Sequence, residues 1–579
     1  MVKYSVYIYI NNYKERMILM SYNIKKNWYK EMTVYQIWPR SFCDGNGDGV
    51  GDLKGILSKL DYVKSLGVDA IWFSPLYASP GKDHGYDISN YREIADYFGD
   101  LDDFKAVLDG AHERGLKVIM DLVINHTSDQ HEWFKLSKNP DSPYRDYYFW
   151  RKGRCGNKLP PNDWQSNFSG SAWEFDKEAD AWYLHLFAKE QPDLNHDNPK
   201  VRQEVKDIMK FWLDMGVDGF REDVITYISK DKGLPDGVPI PIIGGMEHYM
   251  DGPHLHDYLA EYRRDVLDNY DSVTIGEAPM MTTKKALKHI SEGPDQVLNM
   301  MFSFQHMEAD CFLNSWLHTP FNLKKLKTVY KNWQTELYGK AWNANYLENH
   351  DQPRIVSRYG NDGKYRVESS KMLATMYMCL SGTPFIYQGQ EIGMTNIELE
   401  SIDDYEDVST VTVYKMVSKI LPKDTTMKMA RYASRDNART PVQWSAEKNA
   451  GFTTAEKPWF HINPNYTEIN VEAAEKDPDS ILHYYRKLIK FRKENDIVKY
   501  GQYVEHYHDR DDLYVYSKHY KDQRMLVVLS FSDRKMMFKA PEGFDITDAE
   551  IAMCNYNDPK NNGNGCILNP YEARVYMLR

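Results

Sequence analysis

Acidic residues stand at four separated points of this 579-residue chain, and at three of them histidine or arginine lies close by. The residues concerned are Asp121 and His126, Arg221 and Asp223, Glu277, and His350 and Asp351. Carboxylates grouped with histidine and arginine suit cleavage of a glycosidic bond, where one carboxyl protonates the leaving oxygen and another attacks or stabilises an oxocarbenium-like centre. A single acidic residue is more often a solvated or capping residue, so the prediction depends on their joint occurrence.

Arg221 lies two residues before Asp223 at the end of a predicted strand. Side chains at positions i and i+2 of a strand share a face, so the guanidinium should lie beside the carboxyl group. A neighbouring positive charge favours the carboxylate, which is the form that a nucleophile requires. The spacing therefore predicts that Arg221 keeps Asp223 ionised.

A second chemical signal is the run DGNGDGVGD over residues 44 to 52. Oxygen-bearing side chains at alternate positions, separated by glycines that permit a tight loop, are what a hard cation such as Ca²⁺ requires. The twelfth position counted from Asp44 is Gly55 rather than Glu, so the run does not complete an EF-hand loop. A Gly/Asp-rich turn without an ion is the alternative.

The elements that must position these residues are short β-branched or aromatic runs separated by amphipathic segments. Such alternation predicts right-handed crossovers and a parallel sheet, and its repetition over more than 300 residues favours a closed (β/α)₈ barrel of the α/β class. The carboxyl ends of barrel strands converge on one mouth. The predicted strands are 34 to 39, 68 to 75, 116 to 123, 217 to 223, 272 to 277 and 384 to 389, and the predicted helices include 53 to 66, 102 to 115 and 200 to 215.

The regular pattern is interrupted twice. Residues 127–190 are rich in Pro, Asn, Asp, Trp and Ser, which predicts a small domain inserted after the third strand, and the barrel then comprises 27–126 and 191–500. From about residue 501 to 579, strand-like runs follow one another without helices, which predicts a C-terminal antiparallel β domain. Residues 1–26 are expected to be an N-terminal extension that reflects an over-extended start before Met20.

The overall composition excludes several classes of protein. With 72 Lys and Arg against 84 Asp and Glu, the net charge is −12, which argues against a nucleic-acid-binding protein. The chain has no apolar run of about 18 residues, so no membrane partner is expected. Six cysteines without CxxC or framework spacing favour reduced thiols. We expect a monomeric cytoplasmic protein whose partners are small substrates.

Five motifs together resemble glycoside hydrolase family 13, the α-amylase family, in the order that the family has them. They are HGYDISNY, DLVINHTS, GFREDVI, TIGEAP and ENHDQPR, and QPDLN over 191 to 195 resembles the marker of the oligo-1,6-glucosidase and α-glucosidase group. The segments GTPFIYQGQEIGMTN and SRDNARTPVQW are also similar to that group. The resemblance extends from about residue 27 to the carboxyl end.

This resemblance implies that Asp223 is the nucleophile, Glu277 the general acid/base and Asp351 a third carboxylate that holds sugar hydroxyls. It also implies that Asp87 and Arg439 close the pocket and make the enzyme exo-acting. The remaining residues implied to line the glucose subsite are Tyr86, which stacks on the ring, and His126, Arg221 and His350, with Phe168, Phe187 and Gln191 from the inserted domain. Local core packing is the alternative for the two phenylalanines.

The same resemblance implies a single structural metal site after the first barrel strand. The implied cofactor is Ca²⁺ or Mg²⁺. Its ligands would be Asp44, Asn46, Asp48 and Asp52, with the carbonyl of Val50.

Val224, directly after the expected nucleophile, goes with α-1,6-glucosidases in the resembling group, whereas Ala or Thr goes with α-1,4 or sucrose-acting members. The expected substrates are therefore isomaltose and isomalto-oligosaccharides. The alternatives are an α-1,4-glucosidase, a trehalose-6-phosphate hydrolase and a sucrose isomerase, although residues 306 to 334 lack the RLDRD-like run of the isomerases. A non-enzymatic transporter subunit is disfavoured, because the three carboxylates are present and no membrane span is expected.

Two residues depart from the family pattern. Glu222 stands where the family usually has an apolar residue, and strand alternation turns it away from Asp223, so we expect it to have a structural partner. His84 stands where relatives often have Asn.

Overall fold

A computed structural model describes residues 27–238, 244–312 and 314–578. The expectation of an N-terminal extension over 1–26 lies outside the described residues. Within them, all six cysteines are free thiols. No described helix is long and apolar enough to cross a membrane.

The centre of the molecule is a closed barrel of parallel strands, as predicted. Each strand pairs in parallel with the next along the chain, and the last pairs with the first through Val34 and Phe385. Two strands, Met300–Ser303 and Ala344–Asn345, were not predicted from the sequence. The eight barrel strands among the described residues are Val34–Ile37, Ala70–Phe73, Lys117–Leu122, Gly219–Glu222, Val273–Ala278, Met300–Ser303, Ala344–Asn345 and Thr383–Tyr387.

Helices alternate with these strands along the chain, and the longest shows why they form. It covers Pro199–Met215, with Asn198 capping its first turn, proline at the first helical position and Gly216 at φ 112° after its last turn. The helices that connect barrel strands outside the inserted region are Leu53–Ser58, Leu60–Ser65, Leu101–Glu113, Pro199–Met215, Leu255–Asp265, Thr283–Ile290, Leu323–Glu336, Ile355–Arg358 and Arg366–Met378, and the longest described helix after the last strand is Ile481–Glu494.

The described residues form further helices and strands outside the barrel, most of them short. Two small antiparallel pairs are Tyr77–Ala78 with Asn90–Ile94 and Cys311–Phe312 with Asn314–His318. The other α-helices are Trp28–Glu31, Glu132–Ser137, Arg154–Asn157, Val408–Val417, Lys423–Ala433, Asp436–Arg439, Val471–Lys476 and Asp496–Tyr500.

The chain between the third and fourth barrel strands contains a three-stranded antiparallel sheet of Trp150–Arg151, Ala181–Leu184 and Trp173–Asp176. A buried lysine ties both ends of this region to the barrel. The Lys230 ammonium donates to Asn125 Oδ1 at 2.9 Å and lies 2.8 Å from Asp193 Oδ2. Asn125 precedes the insertion and Asp193 follows it. The Lys230 ammonium therefore holds the two connections between the inserted region and the barrel close together.

The C-terminal part is antiparallel, in agreement with the predicted β domain. A buried lysine connects it to the barrel: Lys327 Nζ donates to the carbonyls of Tyr507, Arg510 and Leu513 at 2.9, 2.6 and 3.2 Å. The C-terminal strands are Gln502–His506, Leu513–Tyr520, Gln523–Ser530, Met536–Lys539, Glu550–Cys554, Gly565–Leu568 and Ala573–Leu578.

Glu222 lacks the structural partner that we expected. Its side chain points away from Asp223 as strand alternation requires, it is 1% exposed, and Oε2 makes no hydrogen bond with any described residue. Burial raises the pKa of this carboxyl group from 4.5 to about 8. Glu222 is therefore an unpaired carboxylic acid that stays protonated at neutral pH.

Replacing this acid with a neutral isostere should change how stability depends on pH. In the unfolded chain Glu222 ionises near its usual pKa, so folding takes up a proton between about pH 4.5 and 8, and the free energy of unfolding falls as pH rises. At pH 7 the loss amounts to about 3 kcal/mol. We expect Glu222→Gln to remove this slope, measured by urea unfolding from pH 5 to 8. Parallel stability profiles for the two proteins would contradict the assignment.

Candidate active site

The carboxyl ends of the barrel strands and the inserted region enclose a cavity of about 220 Å³. Asp223, Glu277 and Asp351, which are far apart in sequence, all line it. The other lining residues are Asp83, Tyr86, His126, Asn167, Phe168, Phe187, Gln191, Val224, Tyr227, Pro279, Phe304 and Arg435. Four predicted residues, Asp87, Arg221, His350 and Arg439, stand behind this lining.

One guanidinium holds three carboxylates together at the floor of the cavity. Arg221 Nη1 donates to Asp121 Oδ1 and to Asp223 Oδ1, both at 2.7 Å. Its Nη2 lies 2.8 Å from Glu277 Oε2. Arg221 is 1% exposed, so these charges interact with little screening by water.

The Arg221 guanidinium therefore lies beside the Asp223 carboxyl group, as their spacing predicts. Burial raises the pKa of the Asp223 carboxyl group, and the Arg221 guanidinium opposes this by favouring the carboxylate. The cation thus offsets the cost of burying a negative charge at the position where a nucleophile must be ionised.

The backbone after Asp223 takes an unusual conformation that positions Glu277. Val224 has φ 35° and ψ 39°, a left-handed conformation that costs a β-branched residue about 1–3 kcal/mol. In this conformation its N–H donates to Glu277 Oε2 at 2.9 Å. Val224 and Arg221 both bind Oε2, and Oε1 has no hydrogen bond with a described residue, so one oxygen of Glu277 is left for proton transfer.

Asp351 has the opposite electrostatic environment. Burial by itself would raise its pKa, but the neighbouring His350 ring and the guanidinium groups of Arg435 and Arg439 hold it well below its usual range. Oδ1 accepts from Arg435 Nη1 at 3.2 Å and from Arg439 Nη2 at 2.9 Å, and Oδ2 lies 3.1 Å from His350 Nε2. Asp351 is therefore a fixed carboxylate that can accept hydrogen bonds from hydroxyl groups.

Tyr86 forms the wall beside these carboxylates. Its ring stacks on that of His350, with centroids 5.3 Å apart and an interplanar angle of 8°. Its hydroxyl donates to Asp121 Oδ2 at 3.2 Å and also bonds His350 Nε2. The ring is thus held rigidly at the cavity surface, as a platform for a sugar requires.

The residues that line the cavity differ from the pair expected to close it. Arg435 Nη2 donates to Asp83 Oδ1 at 3.3 Å, and both residues line the cavity. Asp87 is fully buried, where it accepts from Ser79 Oγ and from the backbone N–H groups of Lys82 and Asp83, and burial raises its pKa to about 6.

Arg439 likewise lies behind the lining. It contacts Asp351 and sits over the Trp38 ring at 4.6 Å. The cavity is therefore lined by Asp83 and Arg435 rather than by Asp87 and Arg439, and the closing role itself stays a prediction. The direction of side chains in these loops depends on contacts between them, which motif position alone does not reveal.

Phe168 and Phe187 of the inserted region, and Gln191 directly after it, line the cavity. Gln191 Nε2 donates to Asp83 Oδ2 at 3.2 Å and lies 3.1 Å from His126 Nε2. Burial lowers the pKa of His126. The Phe187 ring packs on His126 at 5.2 Å and on Phe168 at 5.6 Å. Both phenylalanines face the cavity, so they are not merely local core.

Sequence reasoning missed six lining residues. Two of them lie in or next to recognised segments. Arg435 falls within SRDNARTPVQW, and Asp83 directly precedes HGYDISNY. Tyr227 and Pro279 follow the strands that carry Asp223 and Glu277. Nothing local singled out the other two, Asn167 and Phe304.

The glycine-rich loop lies between the first barrel strand and helix Leu53–Ser58. Its polar side chains bond the loop backbone: Asp44 Oδ1 accepts from Asn46 N and Gly47 N, and Asn46 Oδ1 accepts from Asp48 N. In the same way, Asp48 Oδ1 accepts from Val50 N, and Asp52 caps the helix through Gly55 N. Among the described residues, no three His, Cys, Asp or Glu side chains converge as metal ligands, and the ion stays a prediction.

A pair of substitutions separates the two aspartates near the closed end. Asp83→Asn should lower kcat/KM on a small α-glucoside by about tenfold or more, because Arg435 and Gln191 lose a charged partner. Asp87→Asn should lower the melting temperature instead, since its carboxylate satisfies buried N–H groups, while KM is retained. Steady-state kinetics and thermal unfolding on both variants test this, and the reverse pattern would restore the role to Asp87.

Comparison with known proteins agrees with this geometry. Residues 36–501 match the family model described as the catalytic domain of alpha-amylase. The chain is 50% identical over 564 residues to an oligo-1,6-glucosidase of Parageobacillus thermoglucosidasius, covering 96% of this chain and 100% of the relative.

Two solved structures are also similar. Trehalose-6-phosphate hydrolase of Bacillus licheniformis superimposes with a TM-score of 0.90 at 44% identity, covering 95% of this chain and 100% of that one. Isomaltulose synthase of Klebsiella sp. gives a TM-score of 0.92 at 40% identity, covering 96% and 100%. With the barrel, the cavity and these matches in agreement, the chain belongs to the α-amylase family of glycoside hydrolases.

Proposed function

We propose that this enzyme is a retaining, exo-acting α-glucosidase that hydrolyses the non-reducing terminal α-1,6 bonds of isomaltose and isomalto-oligosaccharides. The observation that carries the proposal is the Arg221 guanidinium, which binds both Asp223 and Glu277 where they line the cavity. A single guanidinium spans the two carboxylates, and retaining glycosidases have a short separation of this kind. Curated relatives named oligo-1,6-glucosidase support the substrate class.

The first chemical step transfers the glucosyl group to the enzyme. Asp223 attacks the anomeric carbon and forms an ester, while Glu277 gives its proton to the leaving oxygen as the glycosidic bond breaks. Asp351 accepts hydrogen bonds from sugar hydroxyls through a carboxylate that its cations keep ionised. Tyr86 packs against the sugar ring.

The second step returns the enzyme to its starting state. Glu277, now a carboxylate, takes a proton from water, and the oxygen of that water attacks the anomeric carbon. The ester to Asp223 breaks, and glucose leaves with its configuration retained. The free Oε1 of Glu277 suits it to move a proton in both steps.

The pairing of Asp83 with Arg435 supports exo action, because it closes the cavity beyond the terminal glucose. The same pairing weighs against a phosphorylated substrate. Arg435 is the only Arg or Lys among the described lining residues, and it is bound by Asp83, Asp351 and Asp407. Val224 lines the cavity next to the nucleophile, where it can shape the leaving-group space.

Substitution of the two carboxylates tests the mechanism. Asp223→Ala should abolish turnover of isomaltose while the fold stays intact, as measured by circular dichroism. With an activated aryl α-glucoside, added azide should give the β-glucosyl azide in Asp223→Ala and the α-glucosyl azide in Glu277→Ala, because only the second variant still forms the ester. Wild-type assays on isomaltose, maltose, sucrose and trehalose 6-phosphate measure the preference. Retained turnover in Asp223→Ala, or a preference for another substrate, would contradict the proposal.

We also propose that the loop of residues 44 to 52 binds Ca²⁺, or Mg²⁺, as a structural ion. The candidate ligands are the side chains of Asp44, Asn46, Asp48 and Asp52 and the carbonyl of Val50. An all-oxygen donor set fits a hard cation, and carboxylate oxygens that accept N–H groups retain lone pairs for a metal. When bound, the ion supplies charge neutralisation in the loop and takes no part in the chemistry.

Removal of the ion should destabilise the enzyme. We expect the melting temperature to fall by several degrees in EDTA and to recover with Ca²⁺, because a ligand bound only by the folded state stabilises it. Asp48→Ala should melt at the lower temperature in both conditions. A wild-type melting temperature that is the same with EDTA and with Ca²⁺ would contradict the metal assignment.

We further propose that the enzyme acts as a monomer in the cytoplasm. Six free thiols, four of them buried, support a reducing compartment. Its partners are then small α-glucosides only.

A further inference from the structure

A second, much smaller cavity is lined by residues of helix Leu323–Glu336 and of the sixth and seventh barrel strands. Its volume is about 10 Å³, close to the space that one water molecule needs. No Asp, Glu, Lys or Arg belongs to its described lining, so the cavity offers no charge to balance an ion. Tyr330 lines it from the helix, and Asn343 and Tyr346 line it from either side of the strand Ala344–Asn345.

Three polar atoms of this lining have no hydrogen bond with any described residue. They are the hydroxyl oxygens of Tyr330 and Tyr346 and the Oδ1 atom of Asn343. The three residues are 4%, 2% and 8% exposed, so bulk water does not reach these atoms. Buried polar groups usually find a partner, because an unmade hydrogen bond costs free energy.

Each of the other polar side chains in the lining makes at least one hydrogen bond within the protein. Trp333 Nε1 donates to Gln305 Oε1 at 2.9 Å, and Ser303 Oγ accepts from the backbone N–H of Gln305 at 3.4 Å. His306 Nε2 bonds the carbonyl of Tyr346 at 2.8 Å. The three unpaired oxygens are therefore the groups that a ligand in this cavity would bind.

Two consecutive hydrogen bonds fix the Asn343 amide so that its oxygen is the unpaired atom. Asn345 Nδ2 donates to the carbonyl of Ser381 at 2.8 Å, which leaves Asn345 Oδ1 as an acceptor. Asn343 Nδ2 donates to that oxygen at 2.9 Å. Turning the Asn343 amide over would place two oxygens against each other, so its Oδ1 stays free to accept a hydrogen bond from a ligand.

A water molecule matches this set of groups in size, charge and hydrogen bonding. It can accept from two hydroxyl groups and donate to an amide oxygen, and a buried water typically makes about three hydrogen bonds. We propose that this cavity binds one structural water molecule, held by the hydroxyl groups of Tyr330 and Tyr346 and by Asn343 Oδ1.

Such a water joins helix Leu323–Glu336 to the seventh barrel strand. That strand, Ala344–Asn345, has only two residues and so forms few ladder hydrogen bonds with its neighbours. A bridge to the helix adds support to the strand, and the segment after it carries His350 and Asp351. The water site concerns the fold of the barrel and does not rest on the proposed glucosidase function.

A high-resolution crystal structure of the wild-type enzyme tests the proposal directly. We expect one peak of electron density in the cavity, about 2.5–3.0 Å from each of the three oxygens. A cavity without such a peak, or hydroxyl groups that turn to bond other protein groups instead, would overturn the proposal.

The direction of two melting-temperature shifts tests the site in solution. Tyr330→Phe and Tyr346→Phe each remove one oxygen and keep the ring. If the hydroxyl groups bind a water, each variant should melt about 1–3 °C below the wild type, because a hydrogen bond is lost. If they have no partner, their removal relieves a desolvation cost, so an unchanged or raised melting temperature counts against the water.

Combining the two substitutions tests whether the hydroxyl groups share one ligand. The shift in the double variant should differ from the sum of the two single shifts, because groups bound to the same molecule are coupled. Tyr330→Phe with Tyr405→Phe is the matched control. The Tyr405 hydroxyl is also buried without a described partner but belongs to a separate hydrophobic cluster with Phe460, so its shift should simply add. Additive shifts in both pairs would exclude a shared water.

Discussion

The active site depends on one buried positive charge shared by three carboxylates. Arg221 binds Asp121, Asp223 and Glu277 at hydrogen-bond distance while almost completely removed from water. Burial raises the pKa of the Asp121 and Asp223 carboxyl groups, and the shared Arg221 guanidinium opposes that rise in both. Loss of one partner of a buried ion pair commonly costs about 3–5 kcal/mol. The barrel makes the arrangement feasible, because neighbouring parallel strands bring side chains from distant segments to the same height.

A second set of buried charges determines the shape of the pocket above this floor. Lys230 joins Asn125 to Asp193 and so brings both ends of the inserted region against the barrel. Gln191, two residues before Asp193, then reaches Asp83, which is also bound by Arg435. The position of Asp83 at the cavity is thus a consequence of how the insertion docks.

Glu222 and Val224, the residues on either side of Asp223, each lower the stability of the folded state. Glu222 is an unpaired buried acid, and Val224 holds a left-handed conformation that its branched side chain disfavours. The left-handed conformation of Val224 directs its backbone N–H to Glu277. Such concentration of strain and burial at a functional site is a common exchange of stability for activity.

The sequence by itself determined the barrel, the inserted and C-terminal β regions, and the cavity positions of Asp223, Glu277 and Asp351. These follow from local patterns, since hydrophobic alternation sets the strands and strand ends converge on one mouth. Only the tertiary structure decided that Asp83 and Arg435, rather than Asp87 and Arg439, line the cavity, and that Glu222 Oε2 has no hydrogen-bond partner among the described residues. In loops, the direction of a side chain depends on residues hundreds of positions away, which no local periodicity encodes.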